Sequence, residues 1–516
     1  MNLYSTSTTR ILVSTAGVAL VGAATLREPI VIIWMGSILL AITIVRGIAS
    51  FEVAAARRQG FEMLLGSGNR CYTVTRTAPF EFEVVLRNRS DIALSVRDIR
   101  ALGSPSLDLC VDKDRALISA RGSLNVKIRG KGLRIGCSVV HGLFLRVVHA
   151  SGAFEAPLVF FNPVQFLVYP LAAPGMVKSS RGGLSRRPSD ADRSGRMSGD
   201  SIELRELRSY QPGDALKKIA WKASARRGTL LVRDEELLER QTVWVLVDAS
   251  TELWGGTIGD SPLDEGIDRV ASILHNHVSL GDRVGLGLLS SRVLEWITPD
   301  SGMPHWARLR IALLQTLQIW DADRCGSDEK DLAKVVAEHL ARLEPTMVTN
   351  SERFDTENLA RAAASVLKRY EFQIPKAVAT SEPEMVLRQY VGAFGLACPL
   401  RLEAERWQTD NQLLTAIDRC TADRRCRIIV VSTEPTSSFI AAVSGQRRKL
   451  SHRRIRLSWL SLNSSLGMPE MDSPHQGTVN DAIRWQLESA KRKSRINLKR
   501  VGIAVEHVSA SRRRES

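Results

Sequence analysis

Two apolar runs, Ile11 to Leu26 and Ile30 to Val45, separated only by Arg27, Glu28 and Pro29, constrain the fold of this chain more than any other feature. Proline removes a backbone donor and clashes with a continuing helix, so two helices that reverse on each other are expected. Each run approaches the ~20 residues that a bilayer core requires, with the Ser and Thr residues before Ile11 and the segment Gly47 to Ala49 supplying the ends. Arg10 and Arg46 stand where long side chains can snorkel to the interface. The expectation is a transmembrane hairpin over residues 1–49. A signal peptide is disfavoured because a second apolar run follows at once without an evident cleavage site, which leaves a buried helical hairpin as the alternative. Arg10 on one flank and Arg46, Arg57 and Arg58 on the other outweigh the near-neutral turn, so the positive-inside rule puts both termini in the cytoplasm.

The 516 residues exceed one ordinary hydrophobic core, so two or three domains are expected. A net charge of +16 calls for an acidic partner or surface: anionic lipid, nucleic acid or an acidic protein. Much of it lies in Lys178 to Arg196, Lys491 to Arg500 and the tail Arg512, Arg513 and Arg514, which read as linker, helix end and tail. No recognition helix, RNP-like aromatic strand or zinc-finger spacing accompanies it, which disfavours nucleic acid. The seven cysteines (Cys71, Cys110, Cys137, Cys325, Cys398, Cys420 and Cys426) are scattered and odd in number, as suits reduced cytosolic thiols rather than a disulfide framework. Cys420 and Cys426 have no nearby histidine and make a poor zinc half-site.

Residues 50–173 change texture. Phe80-Glu81-Phe82-Glu83-Val84-Val85-Leu86, followed by Asn88-Arg89-Ser90, alternates with period two before a turn. With further strands at Ser123 to Ile128, Leu143 to Val148 and Val164 to Tyr169, it predicts an antiparallel sandwich. His141 and His149 are expected at strand ends or faces rather than as ligands. Residues 174–200, rich in Ser, Gly and Arg, predict a basic flexible linker or exposed loop. Its Lys178, Arg181, Arg186, Arg187, Arg193 and Arg196 suit either solvent or lipid head groups.

Residues 201–236 hold the densest motif, LRELRSYQPGDALKKIAWKASARRGTLLVRDEE from Leu204 to Glu236. Pro212-Gly213 fits the centre of a type II turn, and Asp214 stands where a helix N-cap belongs. Leu216, Ile219, Ala220 and Ala223 then form one apolar face flanked by Trp221, with Lys217, Lys218 and Lys222 on the polar side. Arg226-Arg227-Gly228 ends the helix, and Thr229 to Val232 resumes a strand. A turn, a capped helix and a strand that dock on the next domain are expected in preference to catalysis, since no nucleophile and base accompany them. Arg208, Tyr210, Pro212, Gly213, Asp214, Ile219, Trp221, Ala225, Arg226, Gly228 and Leu230 closely resemble the signature of the domain-of-unknown-function 58 family, an Arg-x-Tyr-x-Pro-Gly-Asp turn, an Ile-x-Trp helix and an Ala-Arg-x-Gly-x-Leu strand. The resemblance implies a bacterial inner-membrane protein with a β-rich domain and a von Willebrand factor A-like domain, often paired with a MoxR-type AAA+ ATPase.

Residues 237–516 alternate strand and helix. Thr242 to Val247, Val284 to Leu289, Arg427 to Ser432, Ile455 to Leu462 and Gly502 to Val508 read as strands of a parallel, doubly covered sheet. Leu263 to Val278, Asn411 to Thr421 and Val479 to Lys491 read as helices. The fold expected is an α/β, Rossmann-like domain of von Willebrand factor A type. In the resemblance, Asp-x-Ser-x-Ser at the first strand's end holds Mg²⁺ with a distant Thr and Asp. Here the string is Asp248-Ala249-Ser250-Thr251-Glu252, with Glu in place of the second Ser. Thr298 or Ser301 is the candidate for the threonine, and Ser432-Thr433-Glu434 for the acidic loop. The candidate metal set is Asp248, Ser250, Glu252 and Thr298, against a degenerate site in which Asp248 and Ser250 satisfy local backbone. Between about 320 and 400, helices over Lys330 to Leu343, Glu357 to Tyr370 and Glu384 to Phe394, with starts at Asp328 and Thr356, predict an insertion into or extension of the α/β domain. It would serve as a partner surface or as a lid on the sheet.

The chain has no Walker A loop, Gly-x-Ser-x-Gly elbow, His-Glu-x-x-His or dinucleotide fingerprint. His275 and His277, two apart on a helix, diverge. The expectation is a membrane-anchored, non-catalytic adaptor working with a MoxR-type ATPase and needing no certain cofactor. The alternatives are a metal-dependent or cryptic hydrolase using Asp248, Ser250 and Glu252, and a protein that binds anionic lipid or nucleic acid through its basic linker and tail.

Overall fold

Apolar sequence ahead of Pro29 and after it forms the two expected helices, α1 (Ser7–Leu26) and α2 (Pro29–Gln59), in a computed structural model of the chain. It describes residues 3–26, 28–66, 68–172, 194–211, 219–238, 241–317, 319–344, 355–401, 406–423, 425–462 and 474–507. Pro29 opens α2 at the first helical position, where a missing N–H costs nothing. Both helices are long and apolar enough to cross a membrane, and none of the apolar window of α2 is buried inside the protein. A core hairpin would bury it. α2 runs past the expected boundary at residue 49, to Gln59. A two-residue strand, β1 (Tyr4–Ser5), precedes α1, and the Thr6 and Thr9 hydroxyls donate to the Ala153 carbonyl at 3.2 and 2.8 Å. On α2, Glu52 lies 3.2 Å from His149 Nε2.

The alternating sequence that follows gives β2 (Phe61–Leu65), β3 (Cys71–Thr75), β4 (Pro79–Asn88), β5 (Leu94–Gly103), β6 (Leu107–Val111), β7 (Arg115–Ile118), β8 (Ser123–Gly132), β9 (Gly136–Val148) and β10 (Phe154–Tyr169). One sheet runs β1-β10-β9-β5-β7 with β3 also on β10, and the other runs β2-β4-β8-β6. The four strands read from the sequence lie within β4, β8, β9 and β10. Every second side chain of β4 and β8 is buried, so Val84, Leu86, Val126 and Ile128 meet Leu143, Leu145 and Phe166 in one core. Pairing is antiparallel except for β3 beside β10, which is parallel.

Beyond β10 come β11 (Ser194–Ser209), α3 (Trp221–Arg227), β12 (Leu231–Leu238), β13 (Thr242–Asp248), α4 (Pro262–Ser279), β14 (Arg283–Leu289), β15 (Val293–Asp300) and α5 (Met303–Leu314). Three helices follow: α6 (Glu329–Leu343), α7 (Thr356–Tyr370) and α8 (Glu382–Ala393). The chain ends with α9 (Arg406–Cys420), β16 (Cys426–Ser432), α10 (Ser437–His452), β17 (Arg456–Ser461), α11 (Pro474–Val501) and β18 (Ala504–His507). The sheet order is β15-β14-β13-β16-β17-β18. β13 and β16 are buried along nearly their whole length, as continuous Val and Ile runs require when helices cover both faces. The sheet is not wholly parallel as expected: the chain folds back from β14 into β15, which pairs antiparallel and forms an edge. Of the linker expected over 174–200, residues 174–193 lie outside the described residues, and 194–200 are not loop but the start of β11, paired antiparallel with β12.

The chain divides into two compact units, Met1–Tyr169 with Leu317–Arg401 and Pro170–Thr316 with Leu402–Ser516. The helical insertion, expected as part of the α/β domain, therefore belongs instead to the compact unit of the β-sandwich. Its amphipathic helices start where expected: Asp328 caps α6, and Asp355 caps α7 one residue before Thr356. Their apolar faces bury Val336, Leu340, Val366, Leu387 and Phe394 against one another and against Val139 of β9. Gln165 of β10 is fully buried and holds the segment in place. Its amide N–H₂ donates to the carbonyls of Gln373 and Ala393, both at 3.1 Å, and its carbonyl accepts from Gln373 N–H at 2.9 Å.

Candidate functional site at the strand ends

In a doubly wound sheet the crevice for ligands lies at the carboxyl ends of the strands where the order reverses. Here that point is between β13, followed on one side by β14, and β16 on the other. β13 ends at Asp248 and β16 at Ser432, and both side chains are fully buried. Asp248 Oδ1 accepts the Ser250 backbone N–H at 2.9 Å. Asp248 Oδ2 accepts the Ser432 hydroxyl at 2.5 Å and Arg406 Nη1 at 2.7 Å. Arg406, the first residue of α9, also donates from Nη2 to Ser432 Oγ at 2.9 Å. One turn on, Asp410 lies 3.2 Å from Nη2, and its other oxygen accepts the Thr436 hydroxyl at 2.5 Å. Thr436 in turn caps α10.

The electrostatics follow from that geometry. One guanidinium bridges two buried carboxylates, and a planar fork of donors suits such a bridge better than an ammonium would. Its charge is stabilised by Asp248 and Asp410 against the desolvation that opposes it, so its pKa stands above the ordinary value. Glu252 lies on the short 3-10 turn after β13. Its carboxyl is pushed up by desolvation, pulled back by Arg406 and pushed up again by Asp248 and Asp410. The Ser250 hydroxyl is buried and has no hydrogen-bond partner among the described residues.

Of the four metal candidates, Asp248, Ser250 and Glu252 share this strand end and Thr298 does not. Thr298 is exposed on antiparallel β15 between Ile297, opposite Leu286, and Asp300, opposite Val284, whereas Asp248 is level with Leu289. The two are at opposite ends of the sheet, and Ser301 follows Asp300 at the far end. Glu434 accepts the Ser461 hydroxyl at 2.6 Å instead of joining Asp248. The Asp248 carboxylate already accepts from Arg406, Ser432 and Ser250, and the described residues hold no group of three or more His, Cys, Asp or Glu placed for a metal. Mg²⁺, which takes oxygen ligands in near-octahedral array, does not fit this donor set as folded. Asp248 also does more than satisfy local backbone, since it pairs with Arg406. Arg406 was not legible as a partner: it lies 158 residues from Asp248, and only the fold brings them together.

The signature segment lies partly within the described residues. Pro212, Gly213 and Asp214 lie outside the described residues, as do the side chain of Arg208 and Leu216 to Lys218. The expected long helix is shorter in what is described. Ile219 is extended, bridging Val232, and α3 begins only at Trp221. Tyr210 N–H donates to Leu230 O and Ala220 N–H to Leu231 O, both at 2.8 Å. Trp221 and Arg226 are exposed, while Ile219, Ala220 and Ser224 are buried. Gly228 ends the helix at φ 68°, the left-handed conformation that glycine adopts without cost. Among the histidines, His277 pairs with Asp282 at 2.7 Å and His275 lies against the Trp306 ring, so the two diverge as expected. Cys420 and Cys426 are buried thiols, with Cys426 Sγ 3.7 Å from the Cys420 carbonyl.

Comparison with known proteins agrees with the signature over part of the chain. No curated protein matches it. Among solved structures, the WR4 member of the MSP family from C. elegans is 9% identical, covering 21% of this chain and 99% of its own, with a TM-score of 0.16. The ASH / PapD-like domain of human CEP192 is 11% identical, covering 21% and 87%, with a TM-score of 0.17. The E. coli chaperone DraB is 12% identical, covering 22% and 58%, with a TM-score of 0.15. At such scores these likenesses carry no weight for the fold. Residues 206–364, which begin inside the signature, match the family described as "Protein of unknown function DUF58".

Proposed function

We propose that the protein is a non-catalytic binding module of the bacterial inner membrane, tethered by α1 and α2 with its folded domains in the cytoplasm, whose α/β domain is of von Willebrand factor A type and engages a MoxR-type AAA+ ATPase. The observation that carries this reading is the state of the strand end. The acid that would hold a metal or activate a nucleophile is paired with Arg406, and among the described residues the adjacent Ser250 hydroxyl has no hydrogen-bonded base. A hydrolase needs a nucleophile within hydrogen-bond reach of its base. The sheet order with its antiparallel edge strand, and the acid at the end of the first central strand, support the A-type assignment. Binding then works through surface complementarity without Mg²⁺. Trp407, next to Arg406 in the chain, is 61% exposed, and Glu252 after β13 is exposed, an aromatic and a charged group of the kinds suited to a protein contact.

The test uses the full chain in detergent and a purified MoxR-type ATPase from the same organism, with affinity measured in each nucleotide state. A micromolar or tighter complex that weakens about tenfold or more in Trp407→Asp, at unchanged melting temperature, is expected. Absence of binding in every nucleotide state, or substrate turnover by the protein alone, overturns the reading.

A further inference from the structure

We propose that Cys325 and Cys398 form a redox-reactive dithiol, a modification site that hydroperoxides convert into a disulfide tying together the two ends of the helical insertion. The two cysteines flank that insertion, one before α6 and one after α8. The backbone brings them together: Cys325 and Leu400 form an antiparallel bridge, Gly326 N–H donates to Pro399 O at 2.8 Å, and Arg401 N–H donates to Arg324 O at 2.8 Å. In that register Cys398 is the diagonal neighbour of Cys325 on the facing segment, on the same face of the pairing. The two thiols are close enough to interact, and that interaction lowers Cys325 and raises Cys398.

The surroundings divide the work between them. Cys325 is buried and receives the Ser327 N–H at 3.4 Å. Buried Arg388 fixes that turn by donating to the Ser327 carbonyl at 3.3 Å. The Cys398 hydrogen bond first, and then Ser327 and Arg388, hold the Cys325 thiol well below its ordinary range despite burial. The same bond raises Cys398. The backbone N–H of Ser327 favours the thiolate at Cys325, which makes Cys325 the attacking sulfur and Cys398 the resolving one in this proposal. Cys398 is half-buried, so the pair is open on that side. By contrast Cys420 and Cys426 are both buried and both raised by desolvation.

The chemistry balances with a hydroperoxide as oxidant. The Cys325 thiolate attacks the peroxide oxygen, the O–O bond breaks, and Cys325 becomes a sulfenic acid while the leaving oxygen takes a proton. The Cys398 sulfur then attacks the sulfenic sulfur, the S–O bond breaks, and hydroxide leaves with the Cys398 proton as water. Two thiols and one hydrogen peroxide give one disulfide and two waters.

The experiment takes the fully reduced, full-length protein in detergent, adds stoichiometric hydrogen peroxide, and counts thiols by maleimide mass labelling. Two of the seven cysteines are expected to be lost together, with a Cys325–Cys398 peptide link that dithiothreitol reverses. In Cys398→Ser, Cys325 is expected to stall as a sulfenic acid trapped by dimedone. Retention of both thiols, a link between Cys420 and Cys426 instead, or over-oxidation without the 325–398 link overturns the proposal. Peptide mapping of the wild-type chain decides it even if the variant fails to fold.

Discussion

Two buried polar sites, one in each unit, are accommodated by opposite means. In the α/β unit the strand end keeps its groups charged: Arg406 spans Asp248 and Asp410, and hydroxyls of Ser432 and Thr436 take up oxygen valences left over. In the sandwich unit, where α6 meets β9, the polar groups stay neutral. His141 and His339 face each other with ring centroids 5.3 Å apart, and Tyr390 Oη is 2.8 Å from His339 Nδ1. Burial lowers His141 to about 4 and, together with the neighbouring His141 and Arg342, His339 to about 3. A charge can stay buried only when an opposite charge and directed hydrogen bonds accompany it. The histidine pair has no carboxylate to accompany it among these causes, and so sheds its protons. One site depends on a partner and the other on pH.

The largest expected effect separates the sites by mutation. Arg406→Ala leaves Asp248 and Asp410 in the interior without their cation, and removing one member of such a pair costs about 3–5 kcal/mol. Since the Arg406 side chain is 18% exposed, the lower end of that range is expected. Urea unfolding measures it. In the triple variant Asp248→Asn, Arg406→Met, Asp410→Asn much of the loss should return, because neither buried carboxylate is left without its cation. A cost for Arg406→Ala within about 0.5 kcal/mol, the range of ordinary surface substitutions, would show that solvent replaces the guanidinium and would remove the contrast.

The second effect runs through pH and should appear in the sandwich unit. A histidine whose pKa is lowered on folding binds its proton more readily in the unfolded chain. Its contribution to stability is therefore complete above the unfolded value near 6.5 and falls as pH drops toward about 4 for His141 and about 3 for His339. Each histidine supplies at most about 1.4 kcal/mol per pH unit across its window, reduced by its partial exposure. Denaturant midpoints between pH 7 and 5 should decline, and His339→Leu should flatten that decline. A slope unchanged by the substitution would mean that the pair is protonated or hydrated in the native state.

What could be read in the sequence follows the range over which its causes act. The hairpin, β4, the cap at Asp328 and the strands β13 and β16 are set by neighbours a few residues away, through apolar runs, alternation and capping, and these were legible. Fold-back of β15 was not, because the reversal after Leu289 carries no proline and its strand is partly exposed on an edge. The helical insertion shows the limit more sharply. Its three helices could be read from periodicity, but nothing local says which sheet their apolar faces cover, and Gln165 in a strand gives no sign that it will clamp Gln373 and Ala393. The same holds for Arg406, Thr298 and the pairing of Cys325 with Cys398: each depends on chain crossovers, and residue types alone do not encode them.

The smallest effect sharpens the comparison by asking whether the charged site will take a foreign cation. In the wild-type chain Asp248 is occupied by Arg406, Ser432 and Ser250. Millimolar Mg²⁺ should therefore leave the melting temperature unchanged, since a ligand stabilises only through binding to the folded state. In Arg406→Ala the guanidinium is gone while Asp248, Asp410 and the Ser432 hydroxyl remain, and Glu252 is close enough to feel both acids. A divalent cation then restores neutrality to oxygen ligands that have lost theirs. Concentration-dependent stabilisation by Mg²⁺ in that variant, absent from wild type and absent from Asp248→Asn, Arg406→Ala, is the expected outcome in thermal unfolding. Stabilisation of the wild type instead would mean that Arg406 yields its place to metal, and the strand end would have to be read as a cation site with an internal competitor.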